Sequence, residues 1–141
     1  MAESMISSNG INLAYDTFGN SAEPPVLLIM GLSAQMVLWE DEFCTRIADR
    51  GFHVIRFDNR DVGRSTSLDN LGVPDFRAIF HGQVSMLPYS LVDMAKDTVG
   101  LLDALHISSA HIVGASMGGM IAQIIAMNDP ARMKTLTTIM S

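Results

Sequence analysis

The sequence predicts an α/β fold: a mostly parallel sheet that opens with an antiparallel hairpin. Three observations predict it. Strand-like and helix-like segments alternate from Val26 to the end of the chain. Two strand-like runs near the start are joined by Asn9-Gly10, a dipeptide suited to the positive φ angles of a two-residue hairpin turn. The later apolar runs are short and unbroken, as in strands covered on both faces. At 141 residues, with no internal repeat or low-complexity linker, the chain reads as one domain with one core.

The elements follow in order. Ser4–Ser8 and Ile11–Phe18 flank the Asn9-Gly10 turn and form the hairpin. After Glu23-Pro24-Pro25, the run Val26-Leu27-Leu28-Ile29-Met30 is a buried strand that ends at Gly31. From Val37 to Arg50, Trp39, Phe43 and Ile47 recur at four-residue spacing, Glu42 and Arg46 form an i,i+4 pair, and Gly51 suits the C′ position. This is an amphipathic helix. Val54-Ile55-Arg56-Phe57 is the next strand, and Asp58 to Ser65 leaves it as a polar, Gly-containing loop.

An irregular stretch then runs to Tyr89. Ser90-Leu91-Val92-Asp93 has the form of a capping box, and Leu91, Met94, Ala95, Thr98, Leu101, Leu102 and Leu105 share one helical face. His111-Ile112-Val113 is a strand, followed by a turn at Ser116 and a helix to about Asn128. That helix is apolar nearly all round and is expected to be buried. Asp129-Pro130 ends it, and Lys134 to Met140 makes a sixth strand.

Composition removes several classes of function. With 15 acids against 9 bases the net charge is -6, which disfavours the counterion-release binding that dominates nucleic-acid contacts. The longest nearly apolar stretch, Ile112 to Met127, is broken by Ser116, Gly118, Gly119 and Gln123 and falls short of the ~20 residues that span a bilayer, so no membrane partner is expected. Met1 to Asn9 holds no Lys or Arg, so it lacks the basic start of a secretory signal, and a cytoplasmic location is the expectation. The single Cys44 cannot form an internal disulfide, no Cys or His spacing matches a zinc site, and neither metal nor cofactor is expected.

The chemistry concentrates at Gly114-Ala115-Ser116-Met117-Gly118, where an apolar strand leads in and a buried helix leads out. A Ser on such a turn projects Oγ above the sheet as a nucleophile, while Gly114 and Gly118 leave room for the tight backbone. The helix N-terminus offers N–H groups and positive dipole where an oxyanion develops, with Met117 N–H the expected donor. Asp58, Arg60 and Asp61 read as a salt-bridge cluster that braces the neighbouring loop. Met30, Met36, Met117 and Met120 suit either an adaptable acyl pocket or ordinary core filling, and the pattern leaves both uses open.

With these residues in place, the chain resembles the α/β-hydrolase fold family over essentially its whole length. Met30-Gly31-Leu32-Ser33 resembles the family's His-Gly-x loop, Asp58 to Ser65 its Asp-x-Arg-Gly-x-Gly-x-Ser loop, and Gly114 to Gly119 its nucleophile elbow. The resemblance implies a three-layer α/β-hydrolase-type sheet, Leu32 N–H as a second oxyanion donor beside Met117, and a small-molecule ester or related acyl substrate. Met30 stands where His is common and Asp61 where Gly is common. That combination is similar to a bacterial group with methylesterase-like and prolyl-aminopeptidase-like members.

A Ser hydroxyl needs a base, and in this family the acid and the His follow the Ser in chain order. No His follows Ser116. The chain therefore reads as the N-terminal part, residues 1–141, of a single α/β-hydrolase domain truncated after the sixth strand, without the cap, the acid or the His. His53, His106 and His111 are expected at the opposite end of the sheet, about 16 Å from Ser116 for His111 at ~3.3 Å per strand residue. His81 alone lies in a connection that starts at the active-site end, and it reads as a solvated loop residue.

Two readings follow: an enzyme whose remaining parts lie elsewhere, and a non-catalytic self-associating module that keeps the scaffold. In either case Lys134–Met140 becomes a sheet edge, and a homo-oligomer paired through that strand is expected.

Overall fold

The computed structural model describes residues 3–73, 75–83 and 87–141. Six strands form one sheet in the order β1-β2-β4-β3-β5-β6: β1 (Ser4–Ser8), β2 (Ile11–Phe18), β3 (Pro25–Ile29), β4 (His53–Phe57), β5 (Ala110–Ala115) and β6 (Met133–Ile139). β1, β2 and β4 pair antiparallel, and the β4-β3-β5-β6 ladder is parallel. The hairpin turn has Asn9 at φ 49° and Gly10 at φ 80°, the pair of positive angles that a twisted two-residue turn needs.

Strand alternation divides the core into two layers around the sheet. Leu27, Ile29 and Ile55 face one side, where α3 (Leu91–Ala104) and α4 (Met117–Asn128) cover them with Met94, Leu101, Ile121 and Ile125. Val26, Leu28 and Val54 face the other, under Trp39 and Cys44 of the segment that enters α1 (Asp41–Ala48). Ser90 and Asp93 form the expected capping box at the start of α3, and these bonds hold the Asp93 carboxyl below its usual range. Among the described residues no helix is long and apolar enough to cross a membrane.

Three expectations change. Val37 to Arg50 is not one helix: Met36–Leu38 is a 3₁₀ turn, and α1 begins at Asp41. The reason is a buried cation. Arg56 of β4 is 4% exposed and takes the Trp39 carbonyl, together with the carboxylates of Asp16 (2.9 Å) and Asp41 (2.6 Å), so the Trp39 backbone is turned out of helical register. In α1 the buried face belongs to Cys44 at 0% exposure, while Phe43 is 43% exposed and stacks on Trp39. Burial pushes the Cys44 thiol up to about 11 and keeps it protonated.

The stretch before Ser90 is less irregular than its composition suggests, because it contains a 3₁₀ turn at Asp69–Leu71 and the short helix α2 (Phe76–Phe80), capped by Asp75. The helix α4, expected to be buried all round, is among the described residues covered toward the sheet, α3 and the 3₁₀ turn at Pro130–Arg132 and open elsewhere. Its Met120 and Met127 face solvent, as do Leu136 and Ile139 on β6, the sheet's edge strand.

Candidate active site

β5 runs to Ala115, the chain reverses at Ser116, and α4 starts at Met117. Ser116 has φ 52° and ψ -121°, a left-handed backbone that disfavours any side chain and is held only where the surroundings over-determine it. They do so from both sides. Ser116 N–H donates to the Ile139 carbonyl at 2.8 Å, and the Ser116 carbonyl accepts from Gly119 N–H at 2.9 Å. The side chain is exposed, and Oγ has no hydrogen-bond partner among the described residues.

The flanking glycines are required by close approach. A Cβ on Gly114 would collide with the Gly118 carbonyl group and Gly119 N, and a Cβ on Gly118 would collide with the carbonyls of Ile29 and Met30. β5, β3 and the first turn of α4 are thus packed backbone on backbone, which fixes where the helix N-terminus points.

The loop after β3 comes to the same place. A Cβ on Gly31 would lie 3.2 Å from Ser116 Cβ, so Gly31 and Ser116 are in contact range. Leu32 and Ser33 form the centre of a turn closed by Ala34 N–H on the Gly31 carbonyl at 3.3 Å. The loop is braced by buried polar side chains: Asn59 Nδ2 donates to the Met30 carbonyl at 3.0 Å, and Met36 N–H donates to Asp58 Oδ1 at 2.7 Å. Asp58 Oδ2 also accepts from Arg64 N–H at 3.1 Å.

The expected salt-bridge cluster within Asp58, Arg60 and Asp61 is therefore not what forms. Asp58 binds backbone amides, and Arg60 reaches across to α3. Its Nε and Nη2 meet Asp97 at 2.6 and 2.7 Å, with Asn9 Nδ2 adding a third bond to Asp97 at 2.8 Å. Both partners are buried, and the Asp97 hydrogen bond holds the guanidinium in its charged form.

Leu32 and Met117 line one cleft of about 340 Å³. Leu91 and Met94 of α3 extend its apolar wall, and Arg60, Asp61 and Tyr89 make a polar end. Of the methionines singled out, Met117 lines this cleft, Met36 is 1% exposed in the core, and Met120 faces solvent. Chemically, the arrangement presents an exposed hydroxyl at a helix N-terminus beside a cleft lined by Leu32 and Met117.

The sequence model of the alpha/beta hydrolase fold matches residues 24–141. The chain belongs to the α/β-hydrolase fold family. It is 35% identical over 140 residues to rhodomycin D methylesterase of Streptomyces sp. strain C5, and 34% identical over 140 residues to rhodomycin D methylesterase of Streptomyces peucetius. Each alignment takes in 99% of this chain and 42% of the relative. A solved hydrolase from Pseudomonas aeruginosa PA01 is 30% identical with a TM-score of 0.75, over 95% of this chain and 44% of that one. The chain thus spans well under half the length of the relatives it matches.

Within this α/β-hydrolase scaffold the histidines are placed as the strand directions require. His53 starts β4, while His111 lies near the start of β5, where its Nδ1 pairs with Thr135 Oγ1 at 2.8 Å. His106 follows α3, and His81 caps α2. No imidazole hydrogen-bonds Ser116 among the described residues. Sequence reasoning missed Asp97 and Tyr89. Asp97 had a signal: it lies three residues after Met94 and four before Leu101, a lone acid on an apolar stripe that must find a buried cation. Tyr89 had none, since it sits in an aperiodic segment.

Proposed function

We propose that this chain carries the nucleophile and oxyanion hole of a serine hydrolase that acts on small-molecule carboxylic esters. Ser116 Oγ attacks the acyl carbon, and the N–H groups of Leu32 and Met117 receive the developing oxyanion. The observation that carries this reading is the exposed Ser116 on a left-handed turn at the head of α4, pinned through Ile139 and flanked by two glycines that admit no Cβ. The methylesterase relatives support an ester as the substrate class.

The catalytic acid and His lie outside these 141 residues. Without a base to take the Ser proton, turnover by this chain falls by on the order of 10⁴ to 10⁶, leaving oxyanion and binding effects. Incubation with a fluorophosphonate and with an activated acetate ester tests this. Slow labelling confined to Ser116 and lost in Ser116→Ala is the expected result. Labelling at another residue, or equal labelling of the variant, refutes the assignment of Ser116; full esterase turnover by this chain refutes the assignment of the base.

A homo-oligomer paired through β6 belongs to the same proposal. Among the described residues β6 is an edge strand, paired on one side only, and Leu136 and Ile139 on it, Met140 just after it and Met127 on α4 are exposed. Pairing with a second copy covers both.

A further inference from the structure

The end of the cleft away from Met117 has no part in the chemistry proposed at Ser116. Asp61, Leu87 and Tyr89 line both that cleft and a second one of about 260 Å³ bounded by Leu68, Asp69 and Gly72. They are the wall between the two. Asp61 stands in this wall at φ 62°, a backbone that glycine adopts freely and a side chain does not. Its Oδ1 accepts the Leu68 N–H at 2.5 Å, and burial, together with the Asp61 carboxylate, raises the Tyr89 hydroxyl above its usual pKa. Tyr89 is fixed in turn by its ring, which lies 4.9 Å from the Arg60 guanidinium carbon.

The charge at this wall is uneven. Arg60 is the cation that lines either cleft among the described residues, and Asp97 holds it with both carboxylate oxygens. Asp61 has no cationic partner among the described residues, and Asp69 adds a second acid on the far side. The wall shared with the second cleft is therefore acceptor-rich and negative, while Leu32, Leu91, Met94 and Met117, which line the first cleft alone, are apolar.

We infer that Asp61 and Tyr89 are the specificity-determining pair of this site. They favour an acyl group with an apolar body and a hydrogen-bond donor, hydroxyl or ammonium, at its far end, and they disfavour a second carboxylate there. A donor satisfies the lone pairs that Leu68 leaves free on Asp61, whereas a carboxylate meets like charge with no free cation among the described residues of the cleft to offset it. This inference rests on the hydrolase reading for what the cleft holds, but binding alone tests it.

Calorimetric titration of the full chain with methyl octanoate and its ω-hydroxy, ω-amino and ω-carboxylate derivatives reads the preference directly. The hydroxy and amino esters are expected to bind roughly three- to tenfold tighter than the parent, the span of one added hydrogen bond, and the carboxylate to bind weaker than the parent. Asp61→Asn, which tolerates a positive φ, should remove the amino preference and the carboxylate penalty relative to the parent ester measured on the same variant. Tyr89→Phe should keep the wall and shift the hydroxy ester alone. Equal affinity for all four esters, no binding of any by folded protein, or selectivity that survives Asp61→Asn overturns the inference. Selectivity without Ser116 labelling supports the pair while removing the hydrolase reading; labelling without selectivity does the reverse.

Discussion

Gly118→Ala is expected to destabilise the protein by more than Ser116→Ala, although it adds one methyl and leaves the candidate nucleophile intact. The added Cβ would fall against the Ile29 and Met30 carbonyls, well inside the ~3.5–4.0 Å of ordinary carbon contact. Those are backbone atoms of β3 and cannot rotate away, so α4 must lift off the sheet. Overpacking of this kind costs about 1–3 kcal/mol, and the helix-propensity gain of Ala over Gly, up to ~1 kcal/mol, works in the opposite direction. A collision with fixed backbone takes the upper figure, so the net cost of about 2 kcal/mol, at about 3–4 °C per kcal/mol for a chain of this size, is a fall of roughly 6–8 °C in melting temperature. Ser116→Ala removes an exposed hydroxyl with no partner among the described residues and keeps the same backbone, so its shift stays within about 2 °C. Gly114→Ala, which meets Gly118 and Gly119, should behave like Gly118→Ala. Thermal melts by circular dichroism at one fixed protein concentration decide the matter. Equal shifts for Gly118→Ala and Ser116→Ala would refute the claim that the turn is held by backbone-on-backbone contact.

Three further outcomes are expected. Asp97→Asn leaves the buried Arg60 guanidinium without its anion and should cost about 3–5 kcal/mol in urea unfolding, whereas Arg60→Met with Asp97→Leu should recover most of that loss; additive effects would show that the pair is not coupled. His53 is buried and its imidazole is held below its usual pKa, so the unfolded chain takes the proton first. Stability from this group is therefore complete above about pH 6.5 and is lost as pH falls from there toward the folded value. His53→Phe should flatten the fall in urea midpoint across that window, and an unchanged slope would refute the assignment. Thr138→Pro should disperse the oligomer in light scattering across a concentration series. Ile139 turns its carbonyl inward to Ser116, so by alternation Thr138 faces outward, where a missing N–H harms pairing between copies and spares the fold. A wild-type monomer at micromolar concentration would refute edge pairing.

Local signals were enough for the six strands, for α3 and α4, and for the turn at Ser116. Asn9-Gly10, the Ser90–Asp93 capping box and the apolar runs of β3, β4 and β5 each act over a few residues, through φ preferences and side-chain alternation, and each forms where the sequence places it. Gly114 and Gly118 were legible because a motif of fixed spacing encodes their close approach. Only tertiary structure decided the rest. The start of α1 was set by Arg56, which reaches the Trp39 carbonyl from another strand. The Arg60–Asp97 pair joins residues far apart in sequence across the β4 loop and α3. Tyr89 gained its place from the Arg60 guanidinium over its ring, in a segment with no periodicity to read. Buried charges must find partners wherever the fold brings them within hydrogen-bond range, and sequence spacing carries no information about that distance.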